Sequence, residues 1–144
     1  MASVQRKIKS LARAYRLRLI YAFGSRAQEA KKMAEGRRKA LASSTSDLDV
    51  GILPRDRLSV EEKVRIGLDL EDIFGVGRAD VVVLSEAPPF LALDIVQSEI
   101  LYAEDPDFEA EYQLHVMRVA SDLLPFERQK RAMILGEQIR LAKK

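Results

Sequence analysis

A pair of aspartates inside an apolar run constrains this chain more than any other feature of its sequence. In the stretch STSDLDVGI, residues 44–52, Asp47 and Asp49 stand one residue apart among side chains that otherwise suit a buried strand. Burying one unpaired carboxylate costs free energy, and two side by side also repel each other. Two interpretations follow: the segment is a surface turn, or a positively charged group lies against the two carboxylates.

Strand-like and helix-like segments alternate on both sides of this run. Apolar runs predict strands at Leu17–Phe23, Asp47–Leu53 and Ala79–Leu84, and a short fourth strand at 99–103. Helical patterns predict helices at about 3–15, 26–36, 59–74 and 90–97, and from Pro106 onward. Because proline removes a backbone donor from a helix, Pro125 is predicted to divide the last helix into two.

This order of elements predicts an α/β (α+β) fold, a small mixed β-sheet with helices packed on it and a helical C-terminal extension. At 144 residues the chain is expected to form a single domain. The core is predicted at about 1–104 and the helical extension at about 105–144.

Composition and charge narrow the class of protein. The chain has no cysteine, so disulfides and thiolate metal sites are excluded, and no run of 18 apolar residues predicts a membrane span. With a basic N-terminus that lacks an apolar core, it is expected to be cytoplasmic. Residues 1–46 carry 12 Lys and Arg against two Glu, whereas residues 47–123 carry six against 18 Asp and Glu. This segregation indicates a basic surface for an anionic partner beside a carboxylate-rich part.

Strand geometry places the acidic residues together. Side chains alternate along a strand, so Asp47 and Asp49 share one face, while Leu48 points to the other. If the strands beginning near Asp47 and Ala79 are neighbours, Asp80 lies beside the pair. Three clustered carboxylates need a counter-charge, and Mg²⁺ prefers such hard oxygen ligands. Two such ions would clamp a triphosphate and activate an attacking hydroxyl.

A glycine–serine turn supplies the complementary half of such a site. Gly24 and Ser25 follow the first strand and open a helix, where backbone N–H groups face an anion. Ser25 is placed to cap that helix or to bond a phosphate oxygen, and Arg26 to pair with phosphate.

Three motifs carry a resemblance to a known family: FGSRA at 23–27, SDLDVGIL at 46–53 and ADVVVL at 79–84. In this order they resemble the minimal nucleotidyltransferases (MNT) of the polymerase-beta-like superfamily, and the likeness extends over EILYAED and the C-terminal helix. The resemblance implies a nucleotidyltransferase palm in which Gly24 and Ser25 hold nucleotide phosphates. It further implies that Asp47 and Asp49 bind Mg²⁺ and that Asp80, the third carboxylate, helps to deprotonate the acceptor hydroxyl.

The same resemblance implies a partner and a reaction. Small MNT proteins are often antitoxins paired with a helical HEPN ribonuclease, and active ones transfer AMP from ATP to a tyrosine of that toxin. The implied cofactor is Mg²⁺, with two ions, and the implied substrate is ATP. The implied assembly is a hetero-oligomer with the toxin, without a membrane.

One segment departs from the family pattern. Twenty-one residues, 26–46, separate Ser25 from Asp47, and the excess at 31–45 contains five basic residues: Lys31, Lys32, Arg37, Arg38 and Lys39. This insertion either extends the helix after Ser25 and brings positive charge to the nucleotide or a partner, or it is a solvated basic excursion.

Other functions remain open at this stage. The chain is alternatively an antitoxin that neutralises its toxin by binding alone, or a nucleotidyltransferase for a small-molecule acceptor. A nucleic-acid-binding module rests only on the basic segments, which lack interleaved aromatic side chains.

Overall fold

The computed structural model describes residues 3–41 and 47–142, and their side chains as far as Glu137. Residues 42–46, which include the serine-rich end of the predicted insertion and Ser46, lie outside the described residues. In the described ranges the helices are α1 (Val4–Ala14), α2 (Ala27–Ala34), α3 (Val60–Phe74), α4 (Pro89–Val96) and α5 (Pro106–Ala142). The strands are β1 (Leu17–Phe23), β2 (Leu48–Pro54), β3 (Ala79–Val83) and β4 (Glu99–Ala103).

The four strands form one mixed sheet in the order β3-β2-β1-β4. β1 pairs antiparallel with both β2 and β4, while β2 and β3 run parallel. A parallel pair needs a crossover connection, and α3 provides it between β2 and β3. The predicted mixed α/β class and the adjacency of the second and third strands are therefore confirmed.

Helices cover both faces of the sheet, so the central strand β1 is apolar on both sides. Ile20 and Ala22 pack into a cluster with α1, α2 and α3. Leu19 and Tyr21, which point the other way, pack into a second cluster with α4 and the first part of α5. The two clusters hold the sheet between helical layers and leave one end of it for the acidic residues.

Local signals determine where α3 begins and ends. Ser59 accepts a hydrogen bond from the Glu62 backbone N–H at 3.1 Å, and the Glu62 carboxylate accepts one from the Ser59 N–H at 3.0 Å. This reciprocal capping box satisfies two donors that the helix itself leaves unpaired. Gly75 ends the helix with φ +66°, in the left-handed region that favours glycine.

One helix prediction is wrong, and another differs slightly from the structure. The last helix runs without interruption from Pro106 to Ala142, with Pro125 inside it. A proline at this place leaves the carbonyl group of Ser121 without its usual donor, and because Ser121 is exposed, water can satisfy it. The helix after Ser25 ends at Ala34, so it includes residues 31–34 of the insertion and stops before Arg37, Arg38 and Lys39.

The outer half of α5 carries large apolar side chains that the rest of the described chain does not cover. We call these the outer α5 surface: Leu123, Leu124, Phe126, Met133, Ile134 and Leu135. Within the described ranges, no helix combines the length and the apolarity needed to cross a bilayer.

Candidate functional site

The three predicted carboxylates lie together at one end of the sheet. Asp49 in β2 and Asp80 in β3 are cross-strand partners in the parallel pair. Asp47 directly precedes β2 and has the strand parity of Asp49, opposite to the buried Leu48. The sequence prediction that Asp80 joins the Asp47–Asp49 pair is borne out in geometry, while the roles of these residues stay a prediction.

The glycine turn lies directly against this cluster. Phe23, the last residue of β1, pairs with Asp49, and Gly24 follows with φ +76°. A Cβ built on Gly24 would lie 2.7 Å from the Oδ2 atom of Asp49, closer than real Cβ atoms approach an oxygen. Glycine is therefore favoured here by its φ angle, and a Cβ would also require the Asp49 carboxylate to move, because the turn and the carboxylate share one small volume.

Ser25 and Arg26 have different surroundings. Both belong to a single 3-10 turn at 24–26, and Ser25 is exposed beside the cluster. The Ser25 side chain does not cap α2, because Arg26 holds the cap position and makes no side-chain cap bond. Arg26 is only 6% exposed, and its guanidinium lies 3.7 Å from the Glu29 carboxylate. A phosphate-binding role for Arg26 stays a prediction.

Crowding of negative charge perturbs Asp49. Burial raises the pKa of its carboxyl group above the usual value, and the neighbouring Asp80 and Asp47 raise it further. Each cause disfavours the ionised form, so a cation near Asp49 would relieve both. Carboxyl groups whose pKa is raised by burial and by neighbouring carboxylates are often found at functional sites.

Sequence reasoning missed Arg78, which lies between two of the carboxylates. Its Nε atom is 3.2 Å from Oδ1 of Asp80 and 3.7 Å from Oδ2 of Asp47. The only sequence signal was spacing: an arginine two residues before Asp80 shares its strand face. A positively charged group, as the second interpretation required, is therefore present within the chain itself, where it contacts Asp47 and Asp80.

The donor set suits Mg²⁺, although its side chains do not converge. Three carboxylates with exposed or half-buried oxygens offer the hard ligands that Mg²⁺ prefers. Among residues 3–41 and 47–142, however, no group of three or more His, Cys, Asp or Glu lies close enough to hold a metal ion. Asp47 and Asp80 instead contact Arg78. Metal binding at this place therefore requires these two side chains to turn.

Comparison with known families agrees with the geometry. The family model described as polymerase beta, nucleotidyltransferase matches residues 6–107, which span the sheet, the turn and all three aspartates. None of the curated proteins compared with the chain matches it.

Several solved structures share the fold. A chain of the mutant toxin–antitoxin complex MntA-HpeT aligns with a TM-score of 0.67 at 20% identity, covering 94% of this chain and 98% of that one. A toxin–antitoxin structure with AMP-PNP aligns with a TM-score of 0.64 at 20% identity, with the same coverage. A complex of tri-AMPylated Shewanella oneidensis HEPN toxin with MNT antitoxin gives 0.63 at 20%, covering 94% and 96%. At these identities the likeness establishes the fold.

Proposed function

The chain belongs to the polymerase beta nucleotidyltransferase family, and from this premise we propose that it is a Mg²⁺-dependent antitoxin that transfers AMP. Its acceptor is a tyrosine hydroxyl of a HEPN ribonuclease toxin, which the modification neutralises. One observation carries the catalytic part of the proposal: Gly24 lies against Asp49, and Asp49 pairs in register with Asp80. A phosphate-binding turn and an acidic cluster are thereby within reach of one nucleotide.

Each site residue has a role in the proposed transfer. The backbone at Gly24 and the exposed Ser25 hydroxyl bind the nucleotide phosphates. Asp47 and Asp49 hold Mg²⁺, which when bound lowers the pKa of the acceptor hydroxyl and neutralises charge on the phosphates. Asp80 completes this ligand set and accepts the hydroxyl proton.

The proposed reaction forms one bond and breaks one bond. A bond forms between the tyrosine oxygen and the α-phosphorus of ATP, and the bond from that phosphorus to the α,β-bridging oxygen breaks. Pyrophosphate leaves with the bond electrons, and the tyrosine proton passes to Asp80. Positioning of the two reactants and neutralisation of charge supply most of the rate enhancement.

The partner part of the proposal is supported by α5 and by the structural neighbours. The outer α5 surface exposes a row of large apolar side chains, and such a patch is typical of a protein-binding surface. Several structures that share this fold are toxin–antitoxin complexes, and one contains an AMPylated HEPN toxin. We therefore assign the outer α5 surface to the HEPN partner.

Transfer of a labelled nucleotide tests the catalytic part. The chain is incubated with α-labelled ATP, Mg²⁺ and the HEPN protein of a neighbouring reading frame, recognised by an Arg-x4–6-His motif. We expect label on the HEPN protein with the wild-type chain and none with the Asp47→Asn/Asp49→Asn variant. This variant should remain folded, because it removes two repelling charges. Full activity of the folded double variant would refute the catalytic assignment, and inhibition of the toxin without label would favour an antitoxin that acts by binding alone.

A second experiment tests the partner surface. We expect the Phe126→Asp/Met133→Asp variant to bind the HEPN protein at least about tenfold more weakly, because charges would enter an apolar interface. Leu68→Asp on α3 is the matched control, since this side chain is also apolar and 54% exposed. Calorimetric titration measures both affinities. Equal binding by the two variants would place the partner on another surface.

A further inference from the structure

Arg78 has a special place in the acidic cluster. It directly precedes β3 and stands two residues before Asp80, so their side chains share one face of the strand. Leu48 pairs with Ala79, which sets the preceding residues, Asp47 and Arg78, side by side. The Leu48 N–H donates a hydrogen bond to the Arg78 carbonyl at 3.1 Å and secures this alignment.

One guanidinium nitrogen joins carboxylates from two strands. Nε of Arg78 is 3.2 Å from Oδ1 of Asp80 and 3.7 Å from Oδ2 of Asp47. Because both oxygens contact the same nitrogen atom, the two carboxylates lie close to each other. Two like charges this near would repel each other without a cation between them. The guanidinium occupies the position where a cation relieves that repulsion.

We propose that Arg78 is the internal counter-ion of the acidic cluster, and that it must release Asp47 and Asp80 before a divalent cation binds. The inference rests on the proposed function, which assigns these carboxylates to Mg²⁺. It also accounts for the lack of a converged ligand group among the described residues, because two of the three carboxylates are turned toward the arginine.

The exposure of Arg78 makes this exchange feasible. Its side chain is 70% exposed, so the guanidinium is already largely hydrated while it is paired, and such surface ion pairs are weak. Arg26 differs, since it is buried beside Glu29 and is held in place by packing. The arginine can therefore protect the site from self-repulsion and still give way to an ion of higher charge.

The competition has a measurable consequence. A unit charge about 5 Å from a divalent cation weakens binding of that cation roughly 15-fold at the dielectric constant of water. Flexibility and exposure of the side chain reduce this effect, so about fivefold is expected at low salt. Removing the charge of Arg78 should raise the affinity of the cluster for a divalent cation by this factor.

Mn²⁺ titration of the full chain, followed by electron paramagnetic resonance, tests this inference. We expect Arg78→Gln to bind Mn²⁺ about fivefold more tightly than the wild type, and the difference to shrink as salt is added. The matched control is Arg131→Gln, which removes an exposed arginine paired with Glu127 at 3.3 Å, far along α5. Arg131→Gln should leave the affinity unchanged, and Arg78→Lys, which keeps the charge, should lie near the wild type.

Thermal unfolding in EDTA gives a readout that needs no metal. Arg78→Gln should unfold at a lower temperature than Arg131→Gln, because Asp47 and Asp80 then repel each other. Adding Asp47→Asn to Arg78→Gln should raise the unfolding temperature again. Suppose that the wild type binds Mn²⁺ saturably and that the Asp47→Asn/Asp49→Asn variant does not. If Arg78→Gln then has the same Mn²⁺ affinity as the wild type, only the counter-ion inference is refuted. If the wild type shows no saturable Mn²⁺ binding, the metal assignment and the inference both fail.

Discussion

Replacing Gly24 by alanine tests whether the turn after β1 and the Asp49 carboxylate are coupled. The substitution adds one methyl group at a residue with φ +76°. In the present geometry that methyl carbon would lie 2.7 Å from Oδ2 of Asp49, so either the carboxylate or the turn must shift. Gly36 is a matched control, because its φ is +75° and a Cβ there would meet nothing within 4 Å.

The two glycines separate the backbone cost from the contact cost. An L side chain in the left-handed region costs about 1 kcal/mol at either position. Displacing the Asp49 side chain from its preferred rotamer adds roughly 1 kcal/mol at Gly24 alone. We therefore expect Gly36→Ala to lower the free energy of unfolding by about 1 kcal/mol and Gly24→Ala by about 2 kcal/mol. A shift of the carboxylate by about 1 Å should also lower AMP transfer by roughly 100-fold.

Urea unfolding followed by circular dichroism measures the stabilities, and labelled ATP measures the transfer. Adding Asp49→Ala to Gly24→Ala completes a double-mutant cycle. The coupling energy between the two substitutions should account for most of the additional destabilisation that Gly24→Ala shows over Gly36→Ala. Equal destabilisation by Gly24→Ala and Gly36→Ala, with no coupling to Asp49, would refute the close approach of turn and carboxylate. Unchanged transfer by Gly24→Ala would refute its importance for the site.

Three further predictions concern the scaffold. Gly51→Ala should cost about 2 kcal/mol, because its Cβ would lie 2.5 Å from Cγ2 of Ile95 in the packed layer under α4. The control Gly77→Ala meets nothing within 4 Å, and urea unfolding that ranks the two equally would contradict the packing argument. Ser59→Ala should cost about 1 kcal/mol, because it removes the N-cap of α3. The hydrogen bond from the Ser59 N–H holds the pKa of Glu62 below its usual value, so the stabilising effect of Glu62 is present at neutral pH and is lost as the pH falls through that lowered pKa. The free energies of unfolding of Glu62→Gln and wild type should accordingly converge as the pH falls through that lowered pKa, and a constant gap would contradict the capping interaction.

Much of the local structure was predictable from sequence. Apolar runs correctly predicted β1 and β4, and the strands at Asp47 and Ala79 to within one residue. Ser59 and Gly75 marked the ends of α3 because caps depend on residues close together in the chain. Alternation along a strand also placed Asp47 and Asp49 on one face before any tertiary contact was known.

The prediction at Pro125 failed because the surroundings of this residue in the fold override its local preference to end a helix. Pro125 was predicted to break the last helix, yet α5 continues through it. The cost of a proline depends on whether the carbonyl it leaves unpaired reaches water, and that depends on how far α5 projects from the body. Exposure of Ser121 is a property of the folded chain, which a single local pattern does not contain.

By itself, the sequence determined the elements, the shared face of Asp47 and Asp49, and the family to which the motifs point. Only the tertiary structure decided that β3 lies beside β2, that Gly24 rests against Asp49, and that Arg78 lies between Asp47 and Asp80. The reason is physical: periodicity and capping act over a few residues, whereas strand pairing brings together groups about thirty residues apart along the chain. Whether a carboxylate meets a glycine, another carboxylate or an arginine is therefore set by the register between strands.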